Sequence, residues 1–357
     1  MRSTCIAVVA LLTTACGARS GLLGADGVSL PDAPTVCTQI PPTTIYAETA
    51  TNPFNGNAAM AMDGAGRVHF AFGTWEGLSH ATRSSGGWRT TIVDPASYGY
   101  GAAIALDRLG NPHIGWYGST GVHYATRAAA GSWGTSVIFA KGKLKHGVGL
   151  ALDGTDKAHM TFVDADTHHL MHMSNAWGPW QAVTTVGPVS SASTAVAADA
   201  GDNIHTTFVR TGLEHAVDTS TSWSSSSIDL QAGLAASALF VEQAGKVHVA
   251  YGTYPQGSER YATRESGIWQ LETVDSRGGG HSALVVAGGT IHLGYVTLSN
   301  EMRYATRVAG TWSVRDVDPG RKVDWWSCSL AVGPLGDVHI GYRDATRGDV
   351  LYTVLCP

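Results

Sequence analysis

A histidine recurs seven times in nearly the same surroundings: RVHF at His69, NPHI at His113, KAHM at His159, NIHT at His205, KVHV at His248, TIHL at His292 and DVHI at His339. The intervals are 44, 46, 46, 43, 44 and 47 residues. A period of this length restricts the chain to an array of one supersecondary unit. More of the unit aligns around the histidine. An acid stands six residues before it at Asp63, Asp107, Asp153, Asp199 and Glu242. An aromatic stands three residues after it in every copy, from Phe72 to Tyr342. Next comes a segment such as LSHATR, VHYATR, ERYATR or MRYATR. A tryptophan follows at Trp88, Trp133, Trp180, Trp223, Trp269 and Trp312, and a Val-Asp or Ile-Asp closes units at Asp94, Asp229, Asp275 and Asp318.

Each unit reads as four short strands, because apolar and polar residues alternate and glycine-rich turns separate them. Four strands per ~45 residues is the pattern of a propeller blade. Seven copies predict an all-β, seven-bladed β-propeller. The last unit holds only three strands, and TTIYAET (43–49) near the N-terminus is a strand without partners of its own. Placed as the outer strand of the seventh blade, it closes the ring and removes an exposed sheet edge. Cys37 and Cys356 then flank the missing turn, and a disulfide between them replaces it. Cys328 is left as a buried thiol, although a pairing that uses Cys328 instead stays open.

The leader reads as an export signal. Arg2 precedes the apolar run IAVVALL, which is too short to span a bilayer. Small residues lead to Cys16, a lipobox-like site for lipidation. The expected organisation is a signal peptide at 1–16, a tether at 17–36 and one propeller at 37–357. The protein is then exported, as a bacterial membrane-anchored lipoprotein or a secreted or periplasmic protein. It would touch membrane only through the lipid. Charged residues are 14% of the chain and the formal charge is −5, which argues against nucleic acid as a partner.

Recurrence decides how to read the histidines. Strand alternation puts each one on the same face as a small residue two positions on, at Ala71 or Gly115 for example. They are expected at blade-to-blade contacts, bonded to backbone or to the acid six residues back. No metal site and no cofactor are expected. The YATR arginines and the six tryptophans are expected to be framework as well.

The unit resembles repeats of exported bacterial seven-bladed propellers, grouped loosely as sialidase-like or BNR-type. The resemblance covers nearly all of 40–357. It implies the fold. It does not imply the sialidase reaction, since the S-x-D-x-G-x-x-W box is missing. Seven-bladed bacterial lectins share the architecture, which implies sugar binding as one option.

Departures from the repeat are where function is expected. Loops entering the first strands and joining strands two and three share one face around the channel mouth. Counting back from the repeat histidine places Tyr100, His146 and Trp326 there, with His281 beside the equivalent position. Neighbouring loops add Lys141, Lys143, Lys145, Arg321, Lys322, Asp324 and Trp325, and then Trp75, His168, His169, Tyr254 and Arg343. The expected ligand-binding set is Tyr100, His146, His281, Trp325, Trp326, Trp75 and Arg343. Aromatics suit sugar rings and cations suit carboxylates. The favoured reading is a monomeric binding or scaffold module for a carbohydrate or a surface protein. The alternative is a polysaccharide lyase or glycoside hydrolase. A lyase would use Tyr100 and His146 as acid and base, with Arg321 neutralising a uronate. A glycosidase needs two paired carboxylates, and spacing pairs none of Glu76, Asp164, Asp166 and Asp324. The segment VDADTHH, with His168 and His169, is a weak metal signal and reads better as a solvated loop.

Overall fold

The computed structural model describes residues 37–48, 56–84, 87–127, 131–140, 144–176, 178–180, 184–190, 193–219, 222–232 and 236–357, with strand backbone at 11–14 and 20–21. Cys16 and most of the expected tether lie outside this set. The described chain forms seven antiparallel blades of four strands and no helix. The first blade runs Ala58–Met62, Val68–Thr74, Gly77–Ser84 and Gly87–Asp94. The next five occupy 100–140, 144–188, 194–229, 237–275 and 279–316. The seventh takes Ser329–Val332, Val338–Arg343 and Val350–Leu355 from the C-terminus and Ile40–Tyr46 from the N-terminus. Each first strand touches the first strand of the next blade, and Ser329–Val332 touches Ala58–Met62, so the propeller ring closes. Leu11–Thr14 and Ser20–Gly21 form a short antiparallel pair on the inner edge of the seventh blade, with Thr13 opposite Ala331.

The closing strand begins three residues before the expected position. Ile40 pairs with Val354 and Thr44 with Leu351, and the register shifts between Ile40 and Thr43. Pro41 and Pro42 are tolerated because this is an outer strand, whose outward N–H positions have no ladder partner. Cys37 and Cys356 are joined as expected, with Cα atoms 5.7 Å apart and 319 residues between them in sequence. Cys328 is buried and outside the disulfide.

Adjacent blades meet by interdigitation. A side chain at Gly115 would meet Met160 Cε of the next blade at 2.3 Å, and one at Gly341 would meet Phe70 of the first blade at 2.3 Å. The small residues two beyond the histidines are therefore recesses for the neighbouring blade.

The histidines also make a bond within their own blade that the sequence reading did not include. The repeat histidine Nδ1 lies 2.5–3.2 Å from a ring on the third strand. That ring is the Y/H of YATR: His80, His172 and His215 in three blades, and Tyr124, Tyr261, Tyr304 and Tyr352 in four. Nε2 faces the acid six residues back, as expected, at 3.3 Å for Asp153 and Asp199 and 2.7 Å for Glu242. In the seventh blade Asp337, only two residues away, takes that place at 2.6 Å.

The third-strand ring is also the seam. A tryptophan from the following blade packs on it edge-on at 4.9–5.5 Å: Trp133 on His80, Trp180 on Tyr124, Trp223 on His172, Trp269 on His215, Trp312 on Tyr261 and Trp88 on Tyr352. At the other edge of the seam the closing aspartates act as latches. Tyr251 donates to Asp229 of the preceding blade at 2.8 Å, Tyr295 to Asp275 at 2.5 Å and Tyr342 to Asp318 at 2.9 Å.

Two predictions follow from these contacts. Cys37→Ser should destabilise the protein by on the order of 5 kcal/mol, since the disulfide closes nearly the whole chain. The thermal midpoint should drop by roughly 5–15 °C, and reductant should reproduce the drop in the parent and do nothing to the variant. An unchanged midpoint would show that the strand pairing alone holds the ring.

The second concerns acid. Burial, with a neighbouring histidine, lowers His80, His172 and His215 from 6.5 to about 3. Each is neutral in the fold but protonates once unfolded. Stability is therefore complete above pH 6.5 and is lost as pH falls toward 3, by about 1.4 kcal/mol per unit and histidine. Replacing all three by tyrosine, the residue of the other four blades, should make melting temperature fall less steeply with pH over that window, the remaining slope coming from other buried histidines such as His281 and His292. A slope as steep as the parent's would place the titration elsewhere.

Candidate functional site

Antiparallel connectivity puts the starts of strands one and three and the ends of strands two and four at one edge of every blade. These edges form the upper face, where the candidate residues were expected. The structure groups the aromatics there into two patches.

The first patch lies where blades one and two meet. Trp75 sits on the turn after Val68–Thr74, which is tightened by Thr74 Oγ1 donating to the Gly77 carbonyl at 3.0 Å and Glu76 N donating to Thr74 Oγ1 at 3.1 Å. Tyr98 and Tyr100 flank Gly99, whose φ of +69° and closeness to Leu78 exclude a side chain. The rings run in a row: Trp75 to Tyr98 at 5.6 Å and Tyr98 to Tyr100 at 6.4 Å. They are 39%, 49% and 41% exposed, while Trp116 and the tyrosines of the seams are buried. Tyr98 was not in the expected set. Its signal was the aromatic pair in YGY, but it stands two places off the position counted from the repeat.

The second patch gathers Tyr254, Trp325 and Trp326 at 5.8 and 5.6 Å. Trp325 rests on Gly280, where a Cβ would meet the indole at 2.2 Å, and the His281 N–H donates to the Trp325 carbonyl at 3.0 Å. Asp324 builds this corner. Its carboxylate accepts from Gly56 N at 3.0 Å and Trp326 N at 2.9 Å, joining the seventh blade to the first. Burial raises the Asp324 pKa, and burial lowers that of His281 to about 4.

The expected cations do not form a free cluster. Arg343 is fully buried, and donates to the Gly348 carbonyl at 2.8 Å and to the Gly73 carbonyl of the first blade at 2.7 Å. A ligand in solvent does not reach it, so its place is in the last seam. Arg321 is held between Asp318 and Asp344, each at 2.6 Å, and Lys322 Nζ donates to the Ser299 carbonyl at 2.8 Å. Lys141 and Lys143 lie outside the described residues. Lys145 and His146 are described only as backbone of Leu144–Leu152. In the VDADTHH loop, Asp164 accepts from Asp166 N and Thr167 Oγ1, and His169 Nδ1 lies 2.7 Å from the Thr167 carbonyl. Among the described residues no group of three His, Cys, Asp or Glu side chains is placed to hold a metal.

One buried acid on this face was missed. Glu259 begins a third strand, is fully buried, and accepts from Ser282 Oγ at 2.7 Å. Burial and the nearby Asp275 charge drive its pKa well above the usual carboxylate range. An acid inside ERYATR carries no visible sign of burial in the sequence.

No protein-family model matches the chain, and no curated protein matches it. Solved structures do. The fucose-recognising lectin of Aleuria aurantia, a six-bladed β-propeller, is 14% identical with TM-score 0.52, over 71% of this chain and 90% of that one. The SapL1 lectin in complex with α-methyl fucoside is 13% identical with TM-score 0.51, over 72% and 92%. The polysaccharide lyase Uly1 is 9% identical with TM-score 0.53, over 98% of both chains. At these identities the likeness shows the propeller fold.

Arg343→Met keeps the volume but strands two buried carbonyls. It should cost about 2–5 kcal/mol in urea unfolding. Stability equal to the parent's would remove Arg343 from the seam.

Proposed function

We propose that this protein is an exported carbohydrate-binding propeller that takes its glycan on the upper face. The observation that carries the reading is the row of exposed rings at Trp75, Tyr98 and Tyr100, in a fold that packs the aromatic rings of its repeat into blades and seams. Exposed flat rings in sequence present stacking surface for sugar rings, and contiguous apolar patches on a soluble surface mark binding sites. Tyr254 and Trp326, 43% and 37% exposed, supply a second platform. His281 stands near the start of the first strand of blade six, at the same face. Lectins among the similar propellers support the reading. The disulfide and the leader before Cys16 support export and a lipid anchor.

A glycan array probed with the protein should give a defined set of neutral or acidic oligosaccharides. Trp75→Ala with Tyr100→Ala should weaken binding at least tenfold without lowering thermal stability. Retained affinity in that variant, and in Trp326→Ala, would move the site off this face.

A second reading, a polysaccharide lyase using Tyr100 and His146, is supported by the full-length likeness to Uly1. Arg321, proposed there to neutralise a uronate, is already held by two carboxylates. Incubation with uronate polysaccharides should therefore leave ultraviolet absorbance flat. A rise from unsaturated product, abolished by Tyr100→Phe, would replace the lectin reading.

A further inference from the structure

The seam between blades six and seven lacks its tryptophan. In blades one, five and six the tryptophan pairs across from the YATR arginine: Trp88 with Arg83, Trp269 with Arg264 and Trp312 with Arg307. In the seventh blade the register equivalent of that arginine is Leu355. Cys356 and the disulfide follow it, and the outer strand IPPTTIY contains no indole. Tyr304 is therefore the one third-strand ring on which no tryptophan packs among the described residues.

A cavity of about 670 Å³ opens at this place, on the face opposite the aromatic patches. Tyr304, His292, Arg315, Val332, Val338 and Cys356 are among its walls. Its size is that of small-molecule sites. Two further departures from the repeat meet there. His292 has Val286 where five other blades carry an acid, and its Nδ1 bonds only to the Tyr304 hydroxyl among the described residues, at 2.8 Å. Arg315 stands across the strand pair from Tyr304 with its guanidinium 5.2 Å from the ring centroid. It makes no ion pair among the described residues, and no Asp or Glu side chain lines the cavity. The groove at the seam of blades four and five differs. It has about 450 Å³, carries two carboxylates, Glu242 and Glu265, on its walls, and Trp269 packs on the third-strand ring His215 beside it.

We propose that the cavity between blades six and seven is a binding site for a small aromatic carboxylate. The ring takes the space that an indole fills in the other seams, against Tyr304 and the valines. The carboxylate pairs with the Arg315 guanidinium, which presents a planar fork of donors. His292 is neutral, since burial lowers its pKa to about 4, so Arg315 supplies the charge.

Titration calorimetry with indole-3-acetate tests this directly. Saturable one-to-one binding is expected in the millimolar range or tighter. Arg315→Ala should weaken it about tenfold or more at unchanged thermal midpoint. Tryptamine, with the same ring and the opposite charge, should not bind. Ser313→Trp, at an exposed wall position, should fill the cavity and abolish binding. Absence of binding to the parent, equal binding of tryptamine, glucuronate binding as well as indole-3-acetate, or unaltered affinity in either variant would each overturn the proposal. Glycan binding on the opposite face should be untouched by Arg315→Ala, so the two proposals fail independently.

Discussion

The ring depends on one contact repeated around it: an aromatic or imidazole ring on the third strand of a blade, held from inside by the repeat histidine and covered from outside by the next blade's tryptophan. That ring belongs to the blade and to the seam at once. Loss of the histidine bond frees the ring, and loss of the tryptophan uncovers it. Because each blade contacts only its two neighbours, such contacts make a quasi-one-dimensional array whose ends must be joined. The Cys37–Cys356 link and the strand Ile40–Tyr46 make that join.

The same contact explains the charge economy of the chain. Carboxylates that a surface would leave solvated are drawn into blades and seams instead. Asp153 and Asp199 orient histidines, while Asp229, Asp275 and Asp318 hold tyrosines of the following blade. The exposed rings of Trp75, Tyr98 and Tyr100 stand apart from this scheme, as does Arg315. Neither has a task in the repeat, and both are where ligands are proposed.

Blade number and strand order were legible because each repeated residue does the same job seven times, so packing wrote a period into the chain. The acid partner of the histidine was legible, but its ring partner was not. Strand alternation gives the face a residue points to, but YATR and VHxAF share no spacing that announces a bond between Nδ1 and a ring across two strands. Arg343 shows a second kind of limit. An arginine in a loop reads as exposed, and only the approach of the first blade at Gly73 buries it. Tyr98 and Glu259 were passed over for the same reason, since exposure in loops and burial at strand starts depend on the neighbouring blade.

By itself the sequence determined a ring of seven four-stranded blades, because periodicity and alternation can be read along the chain, while the structure decided between the pairings open to the three cysteines. The tertiary structure decided which rings are covered and which are open. That depends on the blade that lies alongside, and at the seam of blades six and seven the alongside strand comes from the other end of the chain and brings no tryptophan.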